Sequence, residues 1–188
     1  MSYVFISGIP ASGKSYLATK LAKKTGAFHL NIDHLREEMS KDPKLEYWVN
    51  FYWDLDEKKY YEEKSCNDLW KNLVDQSEAF WPFILERIHK IMQFYPKAIF
   101  EAVNILPHLA KQGLEFSGVF LLGESEEIIY ERNKKSPRWG LTEELQKIEA
   151  NKFFNCEGKK YKEEAEKFGY KTFRNADDAE RYLLGFLS

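Results

Sequence analysis

The sequence predicts one α/β domain built on an open sheet of about five mostly parallel strands. Its 188 residues fit the usual size of a single compact domain. Short apolar runs alternate with segments of helical periodicity from the first residues onward, as in a sheet whose strands are joined by crossover helices. The first apolar run also leads through a glycine-containing turn into an amphipathic helix, which is a typical βα unit of such a sheet.

The composition disfavours several classes of binding partner. The net charge of −2 gives no field that would attract a nucleic-acid backbone or an anionic membrane. Cys66 and Cys156 are far apart and have no C-x-x-C partner, so we expect reduced thiols rather than a disulfide or a zinc site. No basic leader precedes the first strand and no apolar segment is long enough to cross a bilayer, which predicts a cytoplasmic protein without a membrane partner.

The N-terminal elements follow from periodicity. Tyr3–Ser7 is the first predicted strand, and Gly13–Lys24 is a helix with apolar residues on one face and lysines on the other, ended by Gly26. Ala27–Ile32 is the second strand and runs directly into Asp33. His34–Met39 is expected to begin another helix.

A helical insertion is predicted for residues 40–96, where no strand pattern occurs. Its last helix carries an apolar stripe from Phe80 to Ile91, with Pro82 expected in its opening turn. Beyond it, two further strands are predicted at 98–102 and 116–122. The rest should comprise a helix at 125–133, a lid at 133–141, a helical region at 142–168 broken near Cys156, a fifth strand at 170–173 and a C-terminal helix capped by Asn175 or Asp177.

The turn after the first strand carries a phosphate-binding motif. Gly8–Ser15 fits G-x-x-x-x-G-K-[ST] at every fixed position and lies between a strand and an amphipathic helix, where that motif has to lie. Its glycines let successive backbone N–H groups point inward at phosphates. Lys14 is expected to reach the β and γ phosphates of ATP, and Ser15 to bind Mg²⁺. The predicted nucleotide-binding residues are Gly8, Ile9, Pro10, Ala11, Ser12, Gly13, Lys14, Ser15 and Tyr16.

Asp33 marks the acceptor side of the predicted site. It ends the second strand, and ligands of open α/β sheets gather beyond the carboxyl ends of the strands. With the P-loop, the element Asp33-His34-Leu35-Arg36 resembles the P-loop small-molecule and nucleotide kinases, several of which carry D-x-x-R here. The resemblance implies a three-layer P-loop domain in which Asp33 orients or deprotonates the acceptor hydroxyl and Arg36 binds an anionic group. Alternatively, Asp33 is an ordinary N-cap of the next helix.

Glu101 ends the third predicted strand and resembles the acidic third-strand residue of the same kinases, which often have Asp there. The resemblance implies a role for Glu101 either toward Mg²⁺ or toward the acceptor. Asn104 is a weaker candidate for the same pocket. A solvated glutamate at a strand end is the alternative for Glu101.

The basic stretch around the predicted lid supplies the remaining candidates. Arg132 and Arg138, with Lys134 and Lys135, lie where the resembling kinases place a mobile lid with arginines. By that resemblance Arg132 stacks on adenine, and both arginines stabilise the transferring phosphoryl group. Basic residues that complement the dipole of a helix C-terminus are the alternative. Trp139 and Gly140 either close the lid or mark its hinge.

The insertion is dense in aromatic residues from Trp48 to Trp81. In the resembling kinases this region binds the acceptor, whereas aromatic residues at helical spacing are more often core. The leading hypothesis is therefore an ATP- and Mg²⁺-dependent kinase of a small-molecule hydroxyl or phosphate. Two alternatives remain: a polynucleotide 5′-hydroxyl kinase, which the overall charge does not favour, and a non-enzymatic ATP-sensing module.

Overall fold

The computed structural model describes residues 1–187 and contains one sheet of five parallel strands in the order β2-β3-β1-β4-β5. The prediction of a mostly parallel α/β sheet is confirmed. Each strand lies within two residues of its predicted bounds. The strands are β1 Ser2–Gly8, β2 Phe28–Asn31, β3 Lys97–Glu101, β4 Gly118–Leu121 and β5 Lys171–Phe173.

Helices cover both faces of the sheet, which makes the three-layer arrangement expected of a parallel sheet. One layer contains α1 and α10, and the other contains α5, α6 and α9. The helices are α1 Lys14–Thr25, α2 Arg36–Met39, α3 Glu46–Asn50, α4 Glu57–Glu63, α5 Cys66–Phe94, α6 Pro107–Gly113, α7 Glu126–Lys135, α8 Glu143–Lys152, α9 Gly158–Phe168 and α10 Ala176–Leu187.

The two apolar cores follow from the alternation of side chains along the strands. In β1, Val4 and Ile6 pack toward α1 and α10, whereas Tyr3 and Phe5 pack toward the opposite layer. All four are buried. Because successive strand residues point to opposite faces, a strand covered on both sides reads as a continuous apolar run.

The insertion is helical, as predicted, but its main helix is longer than the apolar stripe indicated. Helix α5 has 29 residues and is opened by a capping box formed by Ser65 and Asp68. Pro82 therefore lies in the helix interior, and the expectation that it occupies an opening turn is wrong. The helix continues through Pro82 because its apolar face, including Phe80 and Ile84, is buried against the sheet.

Other local expectations are also corrected. The predicted break near Cys156 is a π-helical turn, Phe153–Glu157, that joins α8 to α9 without interruption. Before α2 the chain forms a 3₁₀ turn, Ile32–Leu35, rather than an α-helix beginning at His34. Helix α6, which Pro107 opens, was not predicted. Asn175 caps α10, since its side-chain oxygen accepts a hydrogen bond from the Asp178 N–H at 2.9 Å.

Cys66 and Cys156 form a disulfide, so the expectation of two unpaired thiols is wrong. Their Cα atoms are 5.0 Å apart, although the residues are separated by 90 positions in the sequence. The bond links the first residue of α5 to the π-helical turn. The absence of a nearby C-x-x-C partner was uninformative, because tertiary packing of α5 on this turn brings the two residues together.

Across residues 1–187, no helix combines the length and the apolar character that a membrane span requires.

Candidate active site

The glycine-containing turn after β1 has the geometry that a phosphate-binding loop requires. Gly8 and Gly13 have φ angles of 121° and 100°, values that L-residues rarely adopt. Gly13 is the N-cap of α1, so the positive end of that helix dipole faces the space enclosed by the loop. Loop and helix together supply the backbone donors and the field that an anionic phosphate group requires.

Lys14 lies inside this loop. Its side chain is buried, and Nζ donates hydrogen bonds to the carbonyl oxygens of Gly8 at 3.1 Å and Ile9 at 2.7 Å. Burial lowers the pKa of Lys14 to about 8, although the negative charges of Asp33 and Glu101 act to raise it. A phosphate group in the loop would replace carbonyl partners with anionic ones and favour the charged form of the amine.

Ser15, in the first turn of α1, contacts Glu101 at the carboxyl end of β3. Ser15 Oγ donates to Glu101 Oε1 at 2.5 Å, and His29 Nε2 lies 2.9 Å from the other carboxylate oxygen, Oε2. Burial alone would raise the pKa of Glu101, but the contacts with His29 and Ser15 and the charge of Lys14 hold it below its usual value. A hydroxyl and an ionised carboxylate side by side fit the hard oxygen-donor set that Mg²⁺ prefers.

Asp33 and Arg36 line one cavity without forming an ion pair within residues 1–187. Both oxygens of Asp33 accept from the backbone N–H of Val103, at 3.2 Å, and Asp33 makes no side-chain cap of the following helix. The Arg36 guanidinium lies 5.5 Å from the centre of the Phe80 ring. Asp33 is therefore held by a backbone contact and Arg36 by a cation–π contact, and neither is held by the other.

Asn104 does not line this cavity. It is buried, and its amide donates to Ser77 Oγ at 2.8 Å and to Gln76 Oε1 at 3.2 Å. Gln76 reaches the cavity wall. Gln76 therefore lies between Asn104 and the cavity that the sequence suggested for Asn104.

Two cavities meet at the Gly8–Ser15 loop. The first, of about 260 Å³, is called here the P-loop cavity, and Arg132 forms one of its walls. Arg132 Nη1 donates to the Ser12 carbonyl oxygen at 3.0 Å, and Nη2 to Glu124 at 3.0 Å. The cavity is lined by Ala11, Ser12, Gly13, Lys14, Ser15, Tyr16, Arg132, Lys135, Ser136 and Arg138.

The second cavity, of about 290 Å³, is called here the aromatic cavity, since aromatic side chains of the insertion and the lid form much of its wall. It lies on the Asp33 side of the loop. Lys14, Ser15 and Arg138 line both cavities. The other lining residues of the aromatic cavity include Pro10, Asn31, Asp33, His34, Arg36, Tyr52, Trp53, Tyr60, Tyr61, Gln76, Glu101, Val103, Trp139, Glu149, Phe153 and Glu157.

A buried polar network holds the predicted lid. Asn133 donates to Glu149, whose other oxygen accepts from the Gly140 N–H at 3.4 Å. Glu57, from α4, lies beside Glu149, and burial together with that neighbouring carboxyl raises the pKa of Glu57 to about 8. Burial also raises the pKa of Glu149, so two buried carboxyl groups, one from α4 and one from α8, both have pKa values above the ordinary one.

Sequence reasoning missed His29, Glu157 and the aromatic lining residues of the insertion. His29 carried no signal, because a single histidine in a strand is common. The aromatic lining residues of the insertion could not be separated from core residues by spacing alone. Glu157 was hidden in a charged segment, and only the π-helical turn brings it under the lid.

The sequence matches no protein-family model, and no curated protein matches it. Solved structures do resemble the fold over nearly its whole length. A shikimate kinase from Acinetobacter baumannii in complex with shikimate has 16% identity and a TM-score of 0.54, with 98% of this chain and 91% of that chain covered. Deoxyadenosine kinase from M. mycoides with bound dATP has 15% identity and a TM-score of 0.51, with 98% of each chain covered.

The fold is therefore that of the P-loop small-molecule and nucleoside kinases, an α/β class that the sequence had predicted. At these identities the likeness concerns the fold, and the chemistry has to be argued from the site of this chain.

Proposed function

We propose that this protein is an ATP-dependent kinase that transfers the γ-phosphoryl group to a hydroxyl or phosphate group of a small molecule. One observation carries the proposal: the P-loop cavity and the aromatic cavity share Lys14, Ser15 and Arg138 as a common wall. A phosphotransferase needs two such compartments, one for the phosphoryl donor and one for the acceptor, that meet where the bond is exchanged.

On the donor side, the triphosphate would lie along the loop with its γ-phosphate at the common wall. Lys14 would exchange the Gly8 and Ile9 carbonyls for phosphate oxygens. Arg132 borders the P-loop cavity beside Gly13, within reach of the nucleotide, and Arg138 borders both cavities. These cations stabilise negative charge on the transferring group.

Ser15 and Glu101 would hold Mg²⁺, and their contact favours the metal role of Glu101 over an acceptor role. When bound, this ion neutralises charge on the phosphate oxygens. His29 would then keep the Glu101 carboxylate in place through its contact with Oε2.

On the acceptor side, Asp33 is oriented by the Val103 N–H and faces the aromatic cavity. For a hydroxyl acceptor, the oxygen forms a bond to the γ-phosphorus while the bond to the β,γ-bridging oxygen breaks and ADP leaves with that electron pair. The acceptor proton passes to Asp33. Arg36 is available for an anionic group of the acceptor, as the sequence suggested.

Release of ADP from MgATP, measured with and without a panel of hydroxyl and phosphate acceptors, tests the proposal. We expect acceptor-dependent turnover that falls by at least about 100-fold in both Lys14→Ala and Asp33→Asn. Lys23→Ala and Asp54→Asn change exposed residues outside both cavities and should retain wild-type rates. Tight MgATP binding without turnover on any acceptor would instead favour the ATP-sensing alternative.

A further inference from the structure

The end of the aromatic cavity under the lid contains a carboxyl group that the proposed phosphoryl transfer does not use. Glu157 belongs to the π-helical turn and is only 9% exposed. Its Oε2 atom is buried and has no hydrogen-bond partner within residues 1–187. Buried polar atoms are almost always paired, so an unpaired carboxylate oxygen at a cavity wall indicates a position for a ligand.

Once nucleotide is bound, the charged groups around Glu157 do not neutralise the charge of its carboxylate. The charges that influence it are those of Lys14, which is favourable, and Glu149, which is not. The proposed function assigns Lys14 to the phosphates. Glu149 is already held by Asn133 and by the Gly140 N–H. A carboxylate in this place then requires either a proton or a cationic ligand.

Aromatic rings line the same end of the cavity. The indole ring of Trp139 packs against the rings of three tyrosines of the insertion, at centroid distances of 5.6 to 5.8 Å. The four residues, Tyr52, Tyr60, Tyr61 and Trp139, all border the cavity and are called here the aromatic wall. Aromatic faces attract cations, most strongly when the site is removed from water.

From this arrangement we propose that the acceptor is a hydroxyl compound bearing a cationic nitrogen, whose ammonium group packs on the cavity side of the aromatic wall, against Glu157, while its hydroxyl reaches Asp33. This substrate class rests on the proposed kinase function. The cation site itself rests only on the aromatic wall and on Glu157.

Binding of the ammonium group is tested apart from catalysis with tetramethylammonium, a cation that has no hydroxyl to phosphorylate, in the presence of MgADP. The uncharged comparison compound is tert-butanol, which matches it in size and carries a tertiary hydroxyl. We expect calorimetry to detect tetramethylammonium with at least about tenfold higher affinity than tert-butanol. Glu157→Gln, which keeps the size of the side chain and removes its charge, should abolish that preference. Glu163→Gln, at an exposed position of α9 outside the cavity, should keep it.

Proton release gives a second readout that a purely structural Glu157 would not produce. Burial raises the pKa of Glu157 to about 8, so at pH ~7 most molecules carry the proton and a bound cation should expel it. The other titratable groups facing Glu157 are Lys14, Glu149, Tyr52, Tyr60, Tyr61 and Tyr161. The binding enthalpy should therefore depend on the ionisation enthalpy of the buffer in the wild type and not in Glu157→Gln.

The acceptor class is tested with matched pairs in the ADP-release assay: choline against 3,3-dimethylbutan-1-ol, and glucosamine against glucose. We expect the cationic member of at least one pair to be preferred by at least about tenfold in kcat/KM. Trp139→Leu, which keeps an apolar wall without the aromatic face, should reduce that preference, so the test does not depend on Glu157 variants alone.

The outcomes separate the two proposals. Cation binding that needs Glu157, without turnover of any acceptor, would support the cation site and refute the kinase. Turnover of neutral or anionic acceptors at rates that Glu157→Gln leaves unchanged would support the kinase and overturn the cationic acceptor. Equal affinity for tetramethylammonium and tert-butanol would overturn the cation site.

Discussion

His29 Nε2 lies 2.9 Å from Glu101 Oε2, and the opposite oxygen of the same carboxylate accepts the hydrogen bond from Ser15. Glu101 ends β3, His29 lies on the adjacent strand β2, and Ser15 lies in α1. The two contacts fix both the position and the orientation of a carboxylate next to Lys14. A group that would hold Mg²⁺ is therefore oriented by a histidine that does not itself line either cavity. We regard His29 as a positioning residue.

Replacement of His29 by alanine should raise the Mg²⁺ concentration needed for half-maximal ADP release by about 10- to 100-fold, because Glu101 loses the partner that orients it. The measurement is a Mg²⁺ titration at saturating ATP. His89→Ala, at an exposed position of α5, is the control. An unchanged Mg²⁺ requirement would show that Glu101 does not depend on His29.

The carboxyl pair of Glu57 and Glu149 predicts a pH dependence of stability. The pKa of Glu57 is about 8 in the folded protein and near its ordinary value of 4.5 in the unfolded chain. The folded state therefore binds more protons between these values. The resulting stability is fully present below pH ~4.5 and is lost as the pH rises toward ~8.

Urea unfolding of the wild type and of Glu57→Gln at several pH values measures this effect. Between pH ~5 and ~8 the variant should lose less stability than the wild type, because glutamine does not titrate. Glu62→Gln, exposed on the same helix α4, should behave as the wild type. Parallel curves for the wild type and Glu57→Gln would argue against a raised pKa of Glu57.

The disulfide between Cys66 and Cys156 closes a long loop, so its reduction should lower the free energy of unfolding by about 2–4 kcal/mol. Urea unfolding with and without dithiothreitol measures the loss. The double variant Cys66→Ser with Cys156→Ser should match the reduced wild type and show no response to dithiothreitol. A wild type that is equally stable with and without the reductant would contradict the prediction.

Gly8 should tolerate no side chain. A Cβ atom there would lie 2.1 Å from the carbonyl oxygen of Leu121, on a backbone with φ of 121°. We expect Gly8→Ala to abolish MgATP binding and to lower the melting temperature. Gly26 also has positive φ but meets nothing within 4 Å, so Gly26→Ala should cost only about 1–2 kcal/mol and keep nucleotide binding, as isothermal titration would measure.

Predictions from sequence succeeded where a property is local. The strand positions follow from apolar runs such as that of β1, and the loop from Gly8 to Ser15 from fixed spacing. They failed where a distant contact decides: Pro82 lies within a helix because tertiary burial outweighs one lost backbone hydrogen bond. Asn104 likewise turned toward Ser77 because α5 packs behind β3.

The sequence by itself determined the sheet strands, the position of the glycine-containing loop from Gly8 to Ser15 and the place of Asp33 beyond β2, because each depends on residues within a few positions of one another. The tertiary structure alone decided that His29 meets Glu101, that Cys66 meets Cys156, and that Glu157 faces the tyrosines of the insertion. His29 and Glu101 are 72 positions apart in the sequence, and Cys66 and Cys156 are 90 positions apart. Their contacts depend on strand order and helix packing, which local periodicity does not specify.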